Sequence, residues 1–256
     1  AMQYYTMLCS TLDTALGTDY DITKSPGFKD TLNFLLNMEG ALASFSYSDT
    51  GVGKNNPFES MWLAQKFDQP DWAKVRVMQK EKNALATNIQ DLLWYYPETA
   101  QGKGEISLPL DAYYRNTEVA ASRSSWTDSN MLYLAYKGGF ANQSHGHLDN
   151  GSFVLDLNGV RWANDWGSDD YNLQGYGSWA PAQIYLKRAE AHNTLVINPA
   201  QDTNDQDPNA VTKIVRHEQK DTGSIGVVDL TPAYPEDVKS AYRGFKVEDY
   251  RNSVVV

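Results

Sequence analysis

Two spacings of apolar residues divide the chain. Up to about residue 96 the apolar positions recur every three or four residues, the period of amphipathic helices. Tyr5, Leu8, Leu12 and Leu16 share one helix face, and Gly17 is the stop. Ser25-Pro26 reads as an N-cap and first helical residue ahead of Phe28, Leu32, Leu35 and Leu36. Asn56-Pro57-Phe58-Glu59 has the form of a capping box leading into Met61, Trp62, Leu63 and Phe67. A further helical stretch starts near Asp71 and runs toward Leu92 and Leu93. After Pro97 and the linker-like Gln101-Gly102-Lys103-Gly104, alternation takes over: Leu132, Leu134, Tyr136, then Phe153, Leu155, Leu157. Asn158-Gly159 marks a two-residue hairpin turn. More strands are predicted at Thr194–Ile197, Ile214–Glu218, Ile225–Leu230, Phe245–Asp249 and Ser253–Val256, with Asp202–Asn209 as an exposed loop. The expected fold is α+β in two domains, helices over residues 1-100 and an antiparallel β-sandwich over 101-256.

Composition narrows the function classes. At 256 residues and 41% hydrophobic content the chain is globular. It has no membrane-length apolar run and no visible signal peptide. Its start inside a helix and its stop on Ser253–Val256 read as an excerpt of a longer protein, both domains truncated. One cysteine, Cys9, excludes an internal disulfide framework. The net charge of −10 argues against a nucleic-acid partner but leaves an anionic substrate open. Oligomeric state is not legible.

Of four histidines, two lie in Ser144-His145-Gly146-His147-Leu148-Asp149-Asn150. An extended backbone there places both imidazoles on one face. A hairpin on Asn158-Gly159 pairs residues whose numbers sum to about 317, which brings Asp165, at the end of the returning strand, near Ser152 and toward His147. His192 begins a further strand. Two imidazoles and a carboxylate, with water or a fourth group, suit zinc; the alternative is a set of polar sheet-end residues bonded to loops. His217, between Arg216 and Glu218, reads as a solvated strand residue.

The stretches SHGHLDNGSFVLDLNGVRWANDWG and RAEAHNTLVI resemble the β-domain signature of the heparinase II/III-like polysaccharide lyases, a superfamily that includes oligoalginate lyases. LGTDYDI, SPGFKDTLNFLL, FSYSDTG and MWLAQKF resemble the last part of that family's helical toroid, and SAYRGFKVEDYRNSVVV a later strand pair. The resemblance implies an incomplete (α/α) toroid joined to the sandwich, with the lyase site between them. It implies that His145 is catalytic or substrate-facing and that His147, Asp165 and His192 hold a structural Zn2+. It also implies an acidic polysaccharide or oligosaccharide as partner, with no membrane insertion, and a periplasmic or secreted location.

The implied reaction is β-elimination at a uronic acid, in which a base takes the C5 proton and an acid protonates the leaving oxygen at C4. The family's catalytic tyrosine and carboxylate-neutralising groups are expected upstream of residue 1; Tyr4 and Tyr5 lie near that tyrosine's place but fit the helix packing face. Arg188 is a candidate for bidentate binding of a substrate carboxylate, or for a salt bridge to a loop acid. Asn142, Gln143 and Asn150 suit sugar hydroxyls or ordinary loop bonds. Trp162, Trp166, Tyr171, Tyr176 and Trp179 suit sugar stacking or the packing of a long loop. Asp149 fits an orienting role better than a ligand role. Two rivals stay open. One is a metal-dependent hydrolase, since His145-Gly146-His147-Leu148-Asp149 matches the start of a His-x-His-x-Asp-His motif that here continues with Asn150. The other is a non-catalytic carbohydrate-binding fragment.

Overall fold

Helical spacing in the first part of the chain produces α1 (Met2–Leu16), α2 (Thr31–Asn37), α3 (Glu59–Lys66), α4 (Pro70–Asn83) and α5 (Ile89–Leu93). The computed structural model describes residues 2–53, 57–83, 87–95, 106–176, 184–199 and 205–256. The linker-like 101–104, Asn56 and Trp179 lie outside them. Two units result: 1–39 with 54–109, and 40–53 with 110–256. The second unit thus takes in a segment from the helical half.

In the first unit α1 packs on α3, and Leu32, Leu36, Leu63, Trp72 and Val75 form the buried interior. Three helix readings need correction. First, α1 turns Thr6 and Cys9 inward, so Tyr4, Tyr5, Leu8 and Leu16 stay exposed and the expected packing face points outward. Second, turns continue past Ser25-Pro26, with the Phe28 N–H on the Ser25 carbonyl at 3.1 Å, and α2 begins only at Thr31. Third, the stretch from Asp71 to Leu93 is two helices. α5 has its own capping box, in which Asn88 accepts from the Asp91 N–H at 3.0 Å and Asp91 from the Asn88 N–H at 3.1 Å.

The second unit holds two antiparallel sheets. One has β1 (Asp111–Tyr114), β2 (Val119–Arg123), β3 (Tyr133–Lys137), β5 (Phe153–Leu157) and β6 (Val160–Ala163), in the order β1-β2-β3-β5-β6. The other runs β10-β9-β8-β7-β4, from β4 (Gly139–Phe140), β7 (Val211–Lys220), β8 (Gly223–Asp229), β9 (Tyr242–Glu248) and β10 (Ser253–Val255). Leu134 and Tyr136 of the first sheet, with Leu132 just before β3, meet Ile214, Val228, Phe245 and Val247 of the second in one core. Thr194–Ile197 is not a strand. Its contacts are isolated: Thr194 donates to the Asn150 carbonyl, and the Tyr234 hydroxyl to the Leu195 carbonyl. His217 is half-buried rather than fully solvated; its ring sits 5.2 Å from that of Tyr113, with Nδ1 3.2 Å from the Tyr136 hydroxyl.

Strand β5 is covered on both faces. Phe153, Leu155 and Leu157 pack on the shared core, while Val154 and Asp156, fully buried, face the other way. Residues 40–53 supply the cover. Arg161 donates to the carbonyls of Ser44 at 2.8 Å and Ala43 at 2.7 Å, and pairs with Asp156 at 2.6 Å. The Leu42 N–H reaches Asp156 at 3.2 Å, and the Ser46 hydroxyl reaches the Asp165 carbonyl at 2.8 Å. At the opposite end buried Arg251 donates to Asp111, to the Arg123 carbonyl at 3.0 Å and to the Lys220 carbonyl at 2.7 Å. One guanidinium thereby links both sheets.

Candidate active site

After β3 the chain leaves the first sheet, adds β4 to the second, and returns through residues 141–152 to form β5. The histidine pair rides on this return. It is a turn rather than a strand: the Gly146 N–H bonds the Gln143 carbonyl at 2.9 Å, and His145 has φ 62°. A Cβ on Gly146 would stand 2.1 Å from the Ala141 carbonyl oxygen, so only glycine lets the turn close. The turn sends the two imidazoles into different surroundings. The His145 side chain is 66% exposed, and His147 is fully buried.

His145 places Nδ1 2.8 Å from Oδ2 of Asp49 and 3.3 Å from the Tyr171 hydroxyl. Tyr171 and Tyr176 both donate to the same Asp49 carboxylate. Burial would raise the Asp49 carboxyl; the hydrogen bonds from Tyr171, Tyr176 and His145 outweigh it and hold the group below the usual range. Those bonds raise both phenols, which keep their protons; at Tyr171 the bond to Asp49 is the main cause, and at Tyr176 burial comes first.

His147 lies beside His192, ring centroids 5.3 Å apart. His192 directs Nδ1 at the Asp165 carboxylate, 3.0 and 3.1 Å from its two oxygens. Asp165 also accepts from the Ser152 hydroxyl at 2.8 Å and the Gly167 N–H at 3.1 Å. The hairpin arithmetic therefore holds at Ser152, although a bulge between Leu155 and Asp156 shifts the register on the way. Burial pushes His147 down to about 4, so it is neutral near pH 7 and able to ligate. Burial would lower His192 too, but the bond and charge of Asp165 raise it.

Three buried imidazole nitrogens at this site have no hydrogen-bond partner among the described residues: Nδ1 and Nε2 of His147 and Nε2 of His192. Two nitrogens and a carboxylate fit zinc by donor type, and the orphaned atoms fit a site that takes a ligand. The donors are neighbours rather than a closed cage: among the described residues no three His, Cys, Asp or Glu side chains converge as ligands of one ion.

The other candidates fall as follows. Asp149 is fully buried on Lys137 and on the Ser48 N–H (2.7 Å) and hydroxyl (3.1 Å), which ties the 40–53 segment to the histidine loop. That commitment removes the third residue of a His-x-His-x-Asp metal motif. Arg188 is buried between Asp205 at 2.9 Å and Glu190 at 3.1 Å, the salt-bridge alternative. Asn142 is half-buried, Gln143 is exposed, and Asn150 is buried with its N–H on Gln206 at 3.1 Å. Trp162, Trp166 and Tyr171 are exposed, whereas Tyr176 is buried, with Lys187 4.3 Å over its ring. Tyr4 and Tyr5, on α1, belong to the other unit. Sequence reasoning missed Asp49 as a site residue. It lies 96 positions from its histidine, in a short polar run with no periodicity.

Residues 119–243 match the family described as heparinase II/III-like, C-terminal. No curated protein sequence matches the chain. Among solved structures, a mutant of the heparan sulfate lyase HepC from Pedobacter heparinus aligns with TM-score 0.66 and 16% identity, over 97% of this chain and 34% of its own. A heparinase III gene product aligns with TM-score 0.70 and 14% identity, over 98% of this chain and 35% of its own. A further heparinase III gives 0.65 and 13%, over 96% and 37%. At these identities the likeness is one of fold, and the chain spans about a third of the length of the structures it matches. From β2 to the start of β9, across the loop that carries both histidines, the chain is similar to the heparinase II/III-like C-terminal domain.

Proposed function

We propose that this chain is part of a polysaccharide lyase that cleaves uronic-acid glycans by β-elimination and leaves a 4,5-unsaturated uronate. One observation carries the reading: two histidines a residue apart have separate surroundings, His145 exposed on a buried carboxylate and His147 sealed beside His192 and Asp165. The family match of residues 119–243 and the heparan sulfate lyase among the structural relatives support the substrate class, a glycosaminoglycan-type or alginate-type uronate polymer. The helices of the first unit are then the end of an (α/α) toroid, and the protein is periplasmic or secreted.

In the elimination the C5–H bond breaks, its electron pair forms the C4–C5 double bond, and the C4–O bond breaks with a proton delivered to the leaving oxygen. His145 is the group of this chain placed to hold or move a proton there, since its imidazole is exposed and its other nitrogen is fixed. Tyr171, exposed beside it, forms a wall against which a sugar ring can stack. Arg188 would bind a substrate carboxylate only by exchanging Asp205 or Glu190 for it.

His147, Asp165 and His192 would hold the zinc. When bound, it would neutralise the buried Asp165 charge and pin the end of the β5–β6 hairpin to the His192 segment. The roles of Ser152 and the Gly167 N–H are to orient Asp165 for that purpose.

The test is a panel of alginate, heparan sulfate, hyaluronan and polyglucuronate incubated with the full-length parent, followed by absorbance of the unsaturated uronate. Appearance of the chromophore with at least one polymer is expected. Binding without the chromophore would favour the non-catalytic reading, and cleavage confined to neutral glycans, which lack the activating carboxylate, would defeat the proposal.

A further inference from the structure

We propose that Asp49 is a positioning residue: its carboxylate holds the proton of His145 on Nδ1 and so presents Nε2, with its lone pair, at the exposed edge of the imidazole. This rests on the reading of His145 as the substrate-facing histidine.

Donors and acceptors around the ring decide the tautomer. Nδ1 of His145 has two oxygen neighbours, Oδ2 of Asp49 at 2.8 Å and the Tyr171 hydroxyl at 3.3 Å. An ionised carboxylate can only accept. The Tyr171 proton is already directed to that same carboxylate, so its oxygen too can only accept from the ring. Neither neighbour can donate to Nδ1, so Nδ1 carries the hydrogen. A neutral imidazole has one N–H, and the lone pair therefore falls on Nε2.

The carboxylate is itself held. Its side chain is 5% exposed, and Tyr176 fixes the second oxygen. The Asp49 N–H returns a bond to the His145 carbonyl at 3.1 Å, which makes the link two-sided. On one flank, Ser48 is bonded to Asp149 through its N–H and hydroxyl. On the other, the Ser168 N–H reaches the Thr50 carbonyl at 3.2 Å. A Cβ on Gly167 would lie 2.0 Å from that same carbonyl oxygen, so the 165–168 loop approaches the segment as closely as a glycine permits. His145 contributes its own constraint, a left-handed backbone at φ 62°, which aims the ring at Asp49. A carboxylate serving only to staple a loop would need neither two tyrosines nor a histidine with an exposed edge.

The test is the tautomer of His145, read from long-range nitrogen–proton correlation spectra of the histidine-15N-labelled chain at about pH 8, above the ordinary imidazole range of about 6.5. His145 is assigned by the loss of its signals in His145→Gln. The expected result is the Nδ1–H form in the native chain and a shift toward the Nε2–H form in Asp49→Ala, which removes the acceptor and frees the Tyr171 hydroxyl to donate to Nδ1. Tyr171→Phe, which keeps the carboxylate, should leave the Nδ1–H form in place. An Nε2–H form in the native chain overturns the proposal, even if Asp49→Ala fails to fold. An unchanged tautomer in folded Asp49→Ala overturns it as well. The readout needs no turnover, so a parent protein that never forms unsaturated uronate would sink the lyase reading and leave this one standing.

Discussion

Stripping zinc from the chain should lower the melting temperature of the β unit by roughly 4–8 °C. The magnitude follows from the orphaned atoms. Without a ligand, three buried ring nitrogens on His147 and His192 lack partners, and each buried unsatisfied group costs about 1–3 kcal/mol. Zinc takes one nitrogen of each ring, so the low end of that range gives about 2 kcal/mol for the two it satisfies. Mass action gives a similar figure, about 2.7 kcal/mol for a metal present at a hundred times its dissociation constant. A unit of this size loses about 2–4 °C per kcal/mol, hence the stated shift. The assay is differential scanning calorimetry of the zinc-loaded chain, the chelated chain, and the chelated chain with zinc restored. Elemental analysis should find about one zinc per chain, as one structural site requires. His147→Ala and His192→Ala should abolish the response to chelator. A chain that purifies without zinc, or melts at one temperature in all three states, would refute the reasoning and leave the imidazoles as ordinary buried residues.

Two further outcomes test the frame around the site. Arg251→Met leaves Asp111 buried without its partner and should cost about 3–5 kcal/mol, a fall of about 2 M in urea midpoint at a slope near 2 kcal/mol/M; a loss under about 1 kcal/mol, the range of exposed ion pairs, would show that the clip between sheets is unimportant. Burial alone would raise the Glu118 carboxyl, but the Ile214 N–H, the Tyr113 hydroxyl and Lys213 hold it below the usual range. Its contribution is therefore present above the unfolded value of about 4.3 and is lost as pH falls through the lowered folded value. Glu118→Gln should flatten the decline of the urea midpoint below that pH, and an unchanged slope would contradict the assignment.

How far the sequence revealed this arrangement depended on whether a feature was local. The β5–β6 hairpin was legible because Asn158-Gly159 specifies its turn and the register then carries Asp165 to Ser152. Strands β7 to β10 were legible through their alternation. β1 and β2 were not, since Asp111, Ser122 and Arg123 break any apolar pattern and their pairing comes from neighbours. Thr194–Ile197 has strand composition but lies where no ladder partner runs, so tertiary context overrides propensity. The outward apolar face of α1 shows that a period reveals a helix and not its partner. In the site, spacing made the crowding of three histidines visible, whereas the different surroundings of His145 and His147 were implied only by the family resemblance, since an extended backbone would have put both rings on one face. Their separation depends on a turn that Gly146 permits and on Asp49, which reaches the loop from a distant segment.

The division of labour between the paired histidines is tested most directly by measuring turnover and zinc content side by side in the full-length parent. His145→Ala should reduce formation of unsaturated uronate by about 10²-fold or more, the scale of a lost general acid or base, while zinc content and melting temperature stay as in the native protein. His147→Ala should lose the zinc and the stability, with activity falling as a consequence. Equal loss of zinc in both variants, or elimination that continues unchanged in His145→Ala, would contradict the account.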